Sequence, residues 1–400
     1  VEQQDLREIF GRTGSGPLSG VVVADFSRVL AGPYATMMLA DLGATVIKVE
    51  GPAGDDTRHW APPRRGDDAT YFLTANRNKH SVVLDLKDPD DLALAQELAR
   101  RADVLVENFK AGGLAKYSLD YESVRELNPG IVYASVTGFG RSNPQPGYDL
   151  LIQGMSGFMS VTGSHESGPV KAGVAIVDVF TGLHTAVGIL AALAHRKDTG
   201  RGQLVETNLL SSALSGLANQ TSAYVAGGVV PQPMGNEHPS LYPYQPMPTG
   251  EGQIIIAVGN DTQFRLLATV LGHPEWADDE RFATNADRND NRAQLEPLLV
   301  AALSAKTNQE WFEILSRAGL PCAPINTIAQ GVELAAELGL DPVAEAGAGD
   351  RVIPTVSNPI RLSETPPSYD LAPPRLGESS DLVRNWLRGE RVRAVSEAEE

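Results

Sequence analysis

The chain has 400 residues, 42% of them hydrophobic and 21% charged, with 33 Lys and Arg against 50 Asp and Glu for a net charge of −17. That length calls for a larger and a smaller domain, and the acidic balance excludes nucleic acid or an anionic membrane as the main partner of the surface. A local basic cluster can still hold an anionic ligand. Cys322 is the single cysteine, which excludes an intrachain disulfide, fits a reducing, cytoplasmic setting and reads as a small apolar side chain. No stretch reads as long and apolar enough to cross a bilayer, residues 1–5 are too polar for a signal peptide, and the missing initiator Met suggests a trimmed terminus.

In chain order, residues 21–26 form a short apolar strand, 34–42 have helical spacing and 45–50 form a second strand. This βαβ unit predicts a parallel sheet with right-handed crossovers. A strand at 81–86 is followed by Asp88-Pro89, a cap-then-proline helix start, and a helix ending near Arg101. Strands at 104–106 and 131–136 continue the alternation. The extended run Val174-Ala175-Ile176-Val177 ends on Asp178, and an apolar helical stretch covers 181–190. The expected class is therefore α/β, a doubly wound, Rossmann-like parallel sheet that binds ligands beyond the carboxyl ends of its strands.

Beyond Gln203 the texture changes. A long helix is expected over 207–224, then a Gly- and Pro-rich segment at 227–233. Residues 243–249 and 253–258, joined across Gly250-Glu251-Gly252, predict an antiparallel hairpin, and Gly259-Asn260-Asp261 opens a helix to Leu271. The domains read as a large one over 1–205 plus 330–400 and a small α+β one over 226–325, with linkers at 206–225 and 326–329. A last helix is expected over 381–387. No internal repeat is visible.

Glu50 ends the second strand where a dinucleotide's ribose would be held. The loop Arg28-Val29-Leu30-Ala31-Gly32-Pro33-Tyr34 is nevertheless not G-x-G-x-x-G, and Pro33 removes a backbone donor. Walker A, HExxH, GxSxG and CxxC patterns are absent, and His184 and His195 lack partners at metal-ligand spacing, so no metal is expected. Asp178, between strand and helix, has two readings: a helix cap or a reactive carboxylate.

Several motifs choose between them. Gly20-Val21-Val22-Val23-Ala24-Asp25-Phe26, Ala31-Gly32-Pro33 and Asp41-Leu42-Gly43-Ala44-Thr45-Val46-Ile47-Lys48-Val49-Glu50 resemble the amino-terminal signature of the family III CoA-transferases. So do Asn76-Arg77-Asn78-Lys79, Leu84-Asp85-Leu86-Lys87, Glu107-Asn108-Phe109, Thr199-Gly200-Arg201-Gly202-Gln203 and Pro374-Arg375-Leu376-Gly377-Glu378. The resemblance spans nearly the whole chain. It implies a ring-shaped subunit interlocked with its twin as a homodimer, acyl-CoA and a free carboxylic acid as substrates, no tightly bound cofactor, and Asp178 as nucleophile. It carries CoA contacts onto Leu30, Ala31, Leu84, Lys87, Asn108, Phe109 and Lys116, the last replacing an Arg and losing its bidentate phosphate geometry. Tyr148 and Asp149 should line the site, and the Gly259-Asn260 turn resembles the family's mobile glycine-bearing loop. Plainer readings stand beside three of these: Lys87 with Asp88 as a solvated helix-start pair, Asp149 as a turn residue, and the turn as a hairpin exit with Asp261 capping the next helix.

The family also contains α-methylacyl-CoA racemases, which pair the Asp with a His 30 residues earlier because moving a proton across a carbon needs an acid and a base. Here that position is Tyr148, so CoA transfer is the expected reaction. In it, Asp178, expected to be ionised at neutral pH without help, forms an acyl anhydride and then an aspartyl-CoA thioester, with backbone N–H groups at the helix start after Asp178 as oxyanion donors. Racemisation, hydrolysis of acyl-CoA through the same Asp, and CoA binding without catalysis are the alternatives. Asn208-Leu209-Leu210-Ser211-Ser212, Gly235-Asn236-Glu237-His238-Pro239 and Pro243-Tyr244-Gln245 resemble the branch acting on dicarboxylates such as succinate. A second carboxylate needs a cation, for which Arg28, Arg58, Arg77 and His238 are the candidates. Monocarboxylates or aromatic acids are the other substrate reading.

Overall fold

The structure, a computed structural model, describes residues 9–11 and 16–390; the polar start at 1–5 lies outside them. The chain divides into two compact units, one of Val1–Phe158, Lys171–Val229 and Asp341–Glu400, the other of Met159–Val170 and Val230–Leu340. The second unit is thus wider than the 226–325 segment expected from sequence. It gains the small β-pair Gly163–Ser164 and Gly168–Pro169, whose Gly163 O accepts the Gly235 N–H, and the helix Ile328–Glu337.

In the first unit six strands run parallel: β1 (Val22–Asp25), β2 (Thr45–Glu50), β3 (Lys79–Val83), β4 (Val104–Glu107), β5 (Val132–Thr137) and β6 (Leu204–Asn208), in the spatial order β6-β5-β4-β1-β2-β3. The doubly wound expectation holds, and the inner strands are buried on both faces, as crossover helices require. Helix α1 (Ala31–Asp41) links β1 to β2, and α2 (Pro89–Arg101) links β3 to β4, with Asp88 accepting the Asp90 and Asp91 N–H groups as its cap. On one face Leu94, Leu98 and Leu105 pack with Val383 and Leu387 of the last helix, Ser380–Arg388; on the other Leu39, Val104 and Val132 pack with Ile189 and Ala192.

Three local readings need correction. β3 lies two residues earlier than its expected start. The helix expected over 207–224 starts too early: Thr207 and Asn208 close the strand β6, which pairs with β5; Asn208 then caps α5 (Leu209–Gly216) by accepting the Ser211 N–H, and a break at Ala218, φ +42°, separates α5 from α6 (Ala218–Val225). The extended run at 174–177 is absent: helix α7 begins at Ile176 and runs to Thr199. Ile and Val favour strands, but here the first-turn N–H groups find a carboxylate, described below, and the helix wins.

α7 also departs from the expectation of no membrane-length stretch, because its length and composition alone suffice for a span. Its stripe of Val177, Thr181, Thr185, Ile189 and Ala192 at helical spacing is buried, and the helix packs on α1, β5 and β6. Leu183, Val187 and Leu190 remain exposed.

Buried ion pairs are distributed along β1, β2 and β3. Lys79 meets Asp25 at 3.0 Å, Lys48 meets Asp55 at 2.9 Å, and Arg77 meets Asp41 at 2.6 Å. Burial pushes Lys79 down to about 8 despite Asp25, while burial of Asp25 is outweighed by Lys79, Lys48 and the Ser27 and Thr36 hydroxyls, so its carboxyl lies below the usual range. Such pairs add little net stability, but removing one partner costs about 3–5 kcal/mol because a buried charge is left alone. Their geometric effect is local: Asp25 accepts the Ser27 N–H, and Lys48 donates to Ser27 O, fixing the first residues after β1.

The second unit has its own core. β7 (Tyr244–Pro248) and β8 (Gln253–Ala257) form the expected antiparallel hairpin, with β9 (Cys322–Ala323) on the other edge of β8. Met247, Ile254, Ile256, Leu299, Trp311 and Leu315 fill it together with Phe264 and Leu267 of α8 (Asp261–Val270).

Candidate active site

β1 lies between β2 and β4, so the chain leaves β1 and β4 toward opposite sides of the sheet and opens a crevice at their carboxyl ends. The loop after β1 is held there rigidly. Asn108, just past β4, accepts the Arg28 N–H at 3.0 Å and donates to Arg28 O at 2.7 Å. Val29 has φ +70°, an uncommon conformation for a β-branched residue, and its N–H donates to both Asp55 oxygens at 3.3 and 3.2 Å. Gly32 follows because a Cβ there would sit 2.4 Å from that of Ser27. α1 then starts at Ala31 with no side-chain cap, and among the described residues no acceptor takes the N–H groups of Leu30, Ala31 or Gly32. An uncapped helix start is electropositive and attracts negative charge.

Val29, Leu30 and Ala31 line an open cleft with Asn108, Phe109, Tyr148 and Asp178. Asp178 sits in the first turn of α7, only 8% exposed, and among the described residues its carboxylate has no hydrogen-bond partner. It does not cap the helix. Asp149, in the first turn of α3 (Asp149–Met155), does so from outside, Oδ1 accepting the Val177 N–H at 2.8 Å and the Asp178 N–H at 3.3 Å. Gln153 donates to Asp149 Oδ2 and accepts the Ala172 N–H, tying down the approach to the helix. The Val179 N–H bonds Ala175 O, so the start of α7 is fully engaged and is not the source of free donors that the sequence suggested. The free ones belong to α1.

Burial, and secondarily the negative charge of Asp149, push the Asp178 carboxyl up to about 7. It is therefore only partly ionised at neutral pH, contrary to expectation. Tyr71 is pushed up to about 12 by burial and by both carboxylates, so its phenol stays protonated beside them. One turn beyond Asp178, α7 touches the start of α1: a Cβ on Gly182 would lie 2.7 Å from Ala31 O and 3.3 Å from Tyr34 Cβ.

A second, open pocket adjoins the first, sharing Arg28 and Phe109, and is lined by Ser27, Lys48, Leu84, Lys87 and Tyr117. Asp88 caps α2 and makes no ion pair with Lys87, whose exposed ammonium borders this cavity. Lys116 lines neither cavity; its ammonium lies 4.7 Å from the Tyr117 ring. Arg58 donates twice to Glu50, at 2.8 and 2.6 Å, and lies 3.7 Å over Phe72, and Arg77 is buried on Asp41. Both guanidinium groups are engaged away from Asp178. His238, Gly259 and Asn260 belong to the second unit. His238 accepts the Ser240 N–H, and Asn260, rather than Asp261, caps α8 by accepting the Gln263 N–H; Asp261 instead pairs with Arg288 at 2.8 Å.

Sequence reasoning did not single out Asp55, Tyr71, Lys110 or Gly182. Only Gly182 carried a readable signal, a glycine four residues after the nucleophile candidate in an otherwise good helix former's position. Asp55 and Tyr71 reach the site through tertiary folding alone.

A doubly wound sheet with a buried carboxylate and an uncapped helix start lining one cleft at its switch point defines an α/β domain with a site suited to an anionic ligand. The family model for CoA-transferase family III matches residues 18–380. A succinate–glutarate CoA-transferase from Agrobacterium fabrum is 46% identical over 381 residues, 92% of this chain and 94% of that protein. A succinyl-CoA:glutarate CoA-transferase from Homo sapiens is 41% identical over 316 residues, 78% of this chain and 72% of that protein. The crystal structure of a CAIB/BAIF family protein from Brucella suis superimposes with a TM-score of 0.82 at 42% identity, covering 93% of this chain and 99% of that one. The chain belongs to CoA-transferase family III and is an enzyme of that class.

Proposed function

We propose that this enzyme moves CoA from a dicarboxylyl-CoA, with succinyl-CoA as the type, to a free carboxylic acid through Asp178. The observation that carries the reading is the pairing, in one cleft, of the buried and unbonded Asp178 carboxylate with the unengaged N–H groups of Leu30 and Ala31. Asp178 Oδ attacks the thioester carbonyl; the C–S bond breaks, giving an acyl-aspartyl anhydride and CoA thiolate. The thiolate attacks the aspartyl carbonyl, the donor acid leaves as carboxylate, and an aspartyl-CoA thioester remains. An acceptor carboxylate reverses both steps. The α1 N–H groups serve as oxyanion donors, and Lys87 faces the CoA phosphates from the second cavity.

The named relatives act on succinate, succinyl-CoA and glutarate, which supports the dicarboxylate class. Racemisation is disfavoured because the cleft lining contains Tyr148 and no histidine. Incubation with succinyl-CoA and no acceptor should leave CoA covalently on Asp178, read by intact mass and peptide mapping. Exchange activity without that adduct counts against the mechanism. The exposed apolar residues of α7 and the helix Ile328–Glu337, where Ile328 is 89% exposed, are further assigned to an interlocked homodimer in the cytoplasm. A monomer in sedimentation at micromolar concentration would overturn the dimer.

A further inference from the structure

We infer that Arg28 reads the distal carboxylate of a dicarboxylic substrate, exchanging it for Asp56. The inference rests on the CoA-transfer reading above and adds the residue that sets its substrate class. Among the described residues, the cleft that holds Asp178 is lined by two cationic side chains, Arg28 and Lys110. The other arginines considered for the task, Arg58 and Arg77, are locked in buried pairs with Glu50 and Asp41.

Arg28 combines a fixed root with a loosely held head. Its main chain is clamped on both sides by Asn108, and the next residue is anchored by Asp55. Among the described residues its guanidinium makes one contact, Nη1 to Asp56 Oδ2 at 3.1 Å, with the two side chains 59% and 53% exposed. An exposed pair of this kind is worth about 0–1 kcal/mol, so a competing carboxylate can displace it. Nε and Nη2 are not engaged by it, leaving the planar fork that takes a carboxylate with two parallel hydrogen bonds. Lys110 offers only a point charge, and it follows Phe109 on an exposed loop without a comparable clamp.

Asp56 lines the same cleft. While Arg28 is paired with it the two charges cancel, which suits an empty cleft. A distal carboxylate from the substrate takes the guanidinium and leaves Asp56 to water. A chain that ends in a methyl group gives Arg28 no reason to move.

The test compares glutarate with pentanoate, acids of equal length that differ by that carboxylate, as acceptors from succinyl-CoA in the full-length enzyme. Arg28→Gln should lower the glutarate-to-pentanoate ratio of kcat/KM by about 30- to 100-fold, mainly through KM for glutarate, the loss expected for charge-assisted hydrogen bonds. Arg28→Lys should restore only part of the ratio, and Asp56→Asn should lower KM for glutarate. A ratio unchanged in Arg28→Gln overturns the proposal, whether both acids fall together, as a role on CoA would cause, or neither does. So does a ratio that collapses in Lys110→Gln instead. The ratio is readable whether or not CoA is found on Asp178, so failure of the covalent mechanism and failure of this proposal are separate results.

Discussion

Asp178→Asn is expected to lower CoA exchange by about 10⁴-fold or more while making the protein more stable at pH 8. The first effect follows from removing the proposed nucleophile, since an amide forms neither anhydride nor thioester. The second follows from the environment of the carboxyl, raised from 3.8 to about 7 in the folded chain by burial and by Asp149. Between those values the folded protein holds a proton that the unfolded chain releases, so the contribution to stability falls as pH rises through that window. Above about pH 7 the full penalty remains, on the order of 4 kcal/mol. Asn carries no charge at any pH and escapes it. Thermal melts of the two proteins should therefore separate at pH 8 and converge as the pH approaches 4. Equal melting temperatures at pH 8 would mean that the carboxylate is already compensated in the folded state.

The same geometry gives a kinetic counterpart. Asp149→Asn removes the negative charge that helps to raise Asp178 but keeps an Oδ1 to accept the Val177 and Asp178 N–H groups. The acid limb of kcat/KM should then move to lower pH, with the helix start intact. An acid limb that stays in place would assign the shift to burial alone.

These residues also show what was legible in the sequence. The alternation of strands and helices up to Val136 could be read because apolar periodicity and capping pairs such as Asp88-Pro89 are local signals. The start of α7 could not. Val174, Ile176 and Val177 look like a strand, and only a carboxylate 28 residues before Val177, delivered by another helix, makes the turn helical. For the same reason Asp178 looked like a cap: the sequence shows an Asp near a helix start, but not that Asp149 has already filled the role. β6 was missed because its Leu204-Val205-Glu206-Thr207-Asn208 stretch gains strand character from pairing with β5. Cations fared similarly. Arg28, Arg58 and Arg77 are indistinguishable in sequence, yet two are sealed into buried pairs and one stands at the cleft.

Gly182→Val should reduce kcat by about 100-fold while KM for acyl-CoA changes little. The added Cβ would approach Ala31 O to 2.7 Å, closer than real contacts allow, and the neighbour is backbone at the start of a buried helix rather than a side chain able to swing away. α7 must therefore withdraw from α1, and Asp178, one turn earlier on α7, withdraws with it. The N–H groups of Leu30 and Ala31 stay where Asn108 and Asp55 hold the loop before them. The proposed nucleophile and its proposed oxyanion donors are then drawn apart, and misplacement of about 1 Å can cost about 10²-fold. CoA binding should persist, because Leu84 and Lys87 lie on the far side of β1 and do not move with α7. Overpacking opposes folding by about 1–3 kcal/mol, so the comparison is made on protein shown to be folded by its near-UV spectrum. Gly182→Ala brings the same contact with less bulk and should fall between the two. A folded Val variant with the wild-type kcat would show that the approach of the two helices does not set the reacting distance.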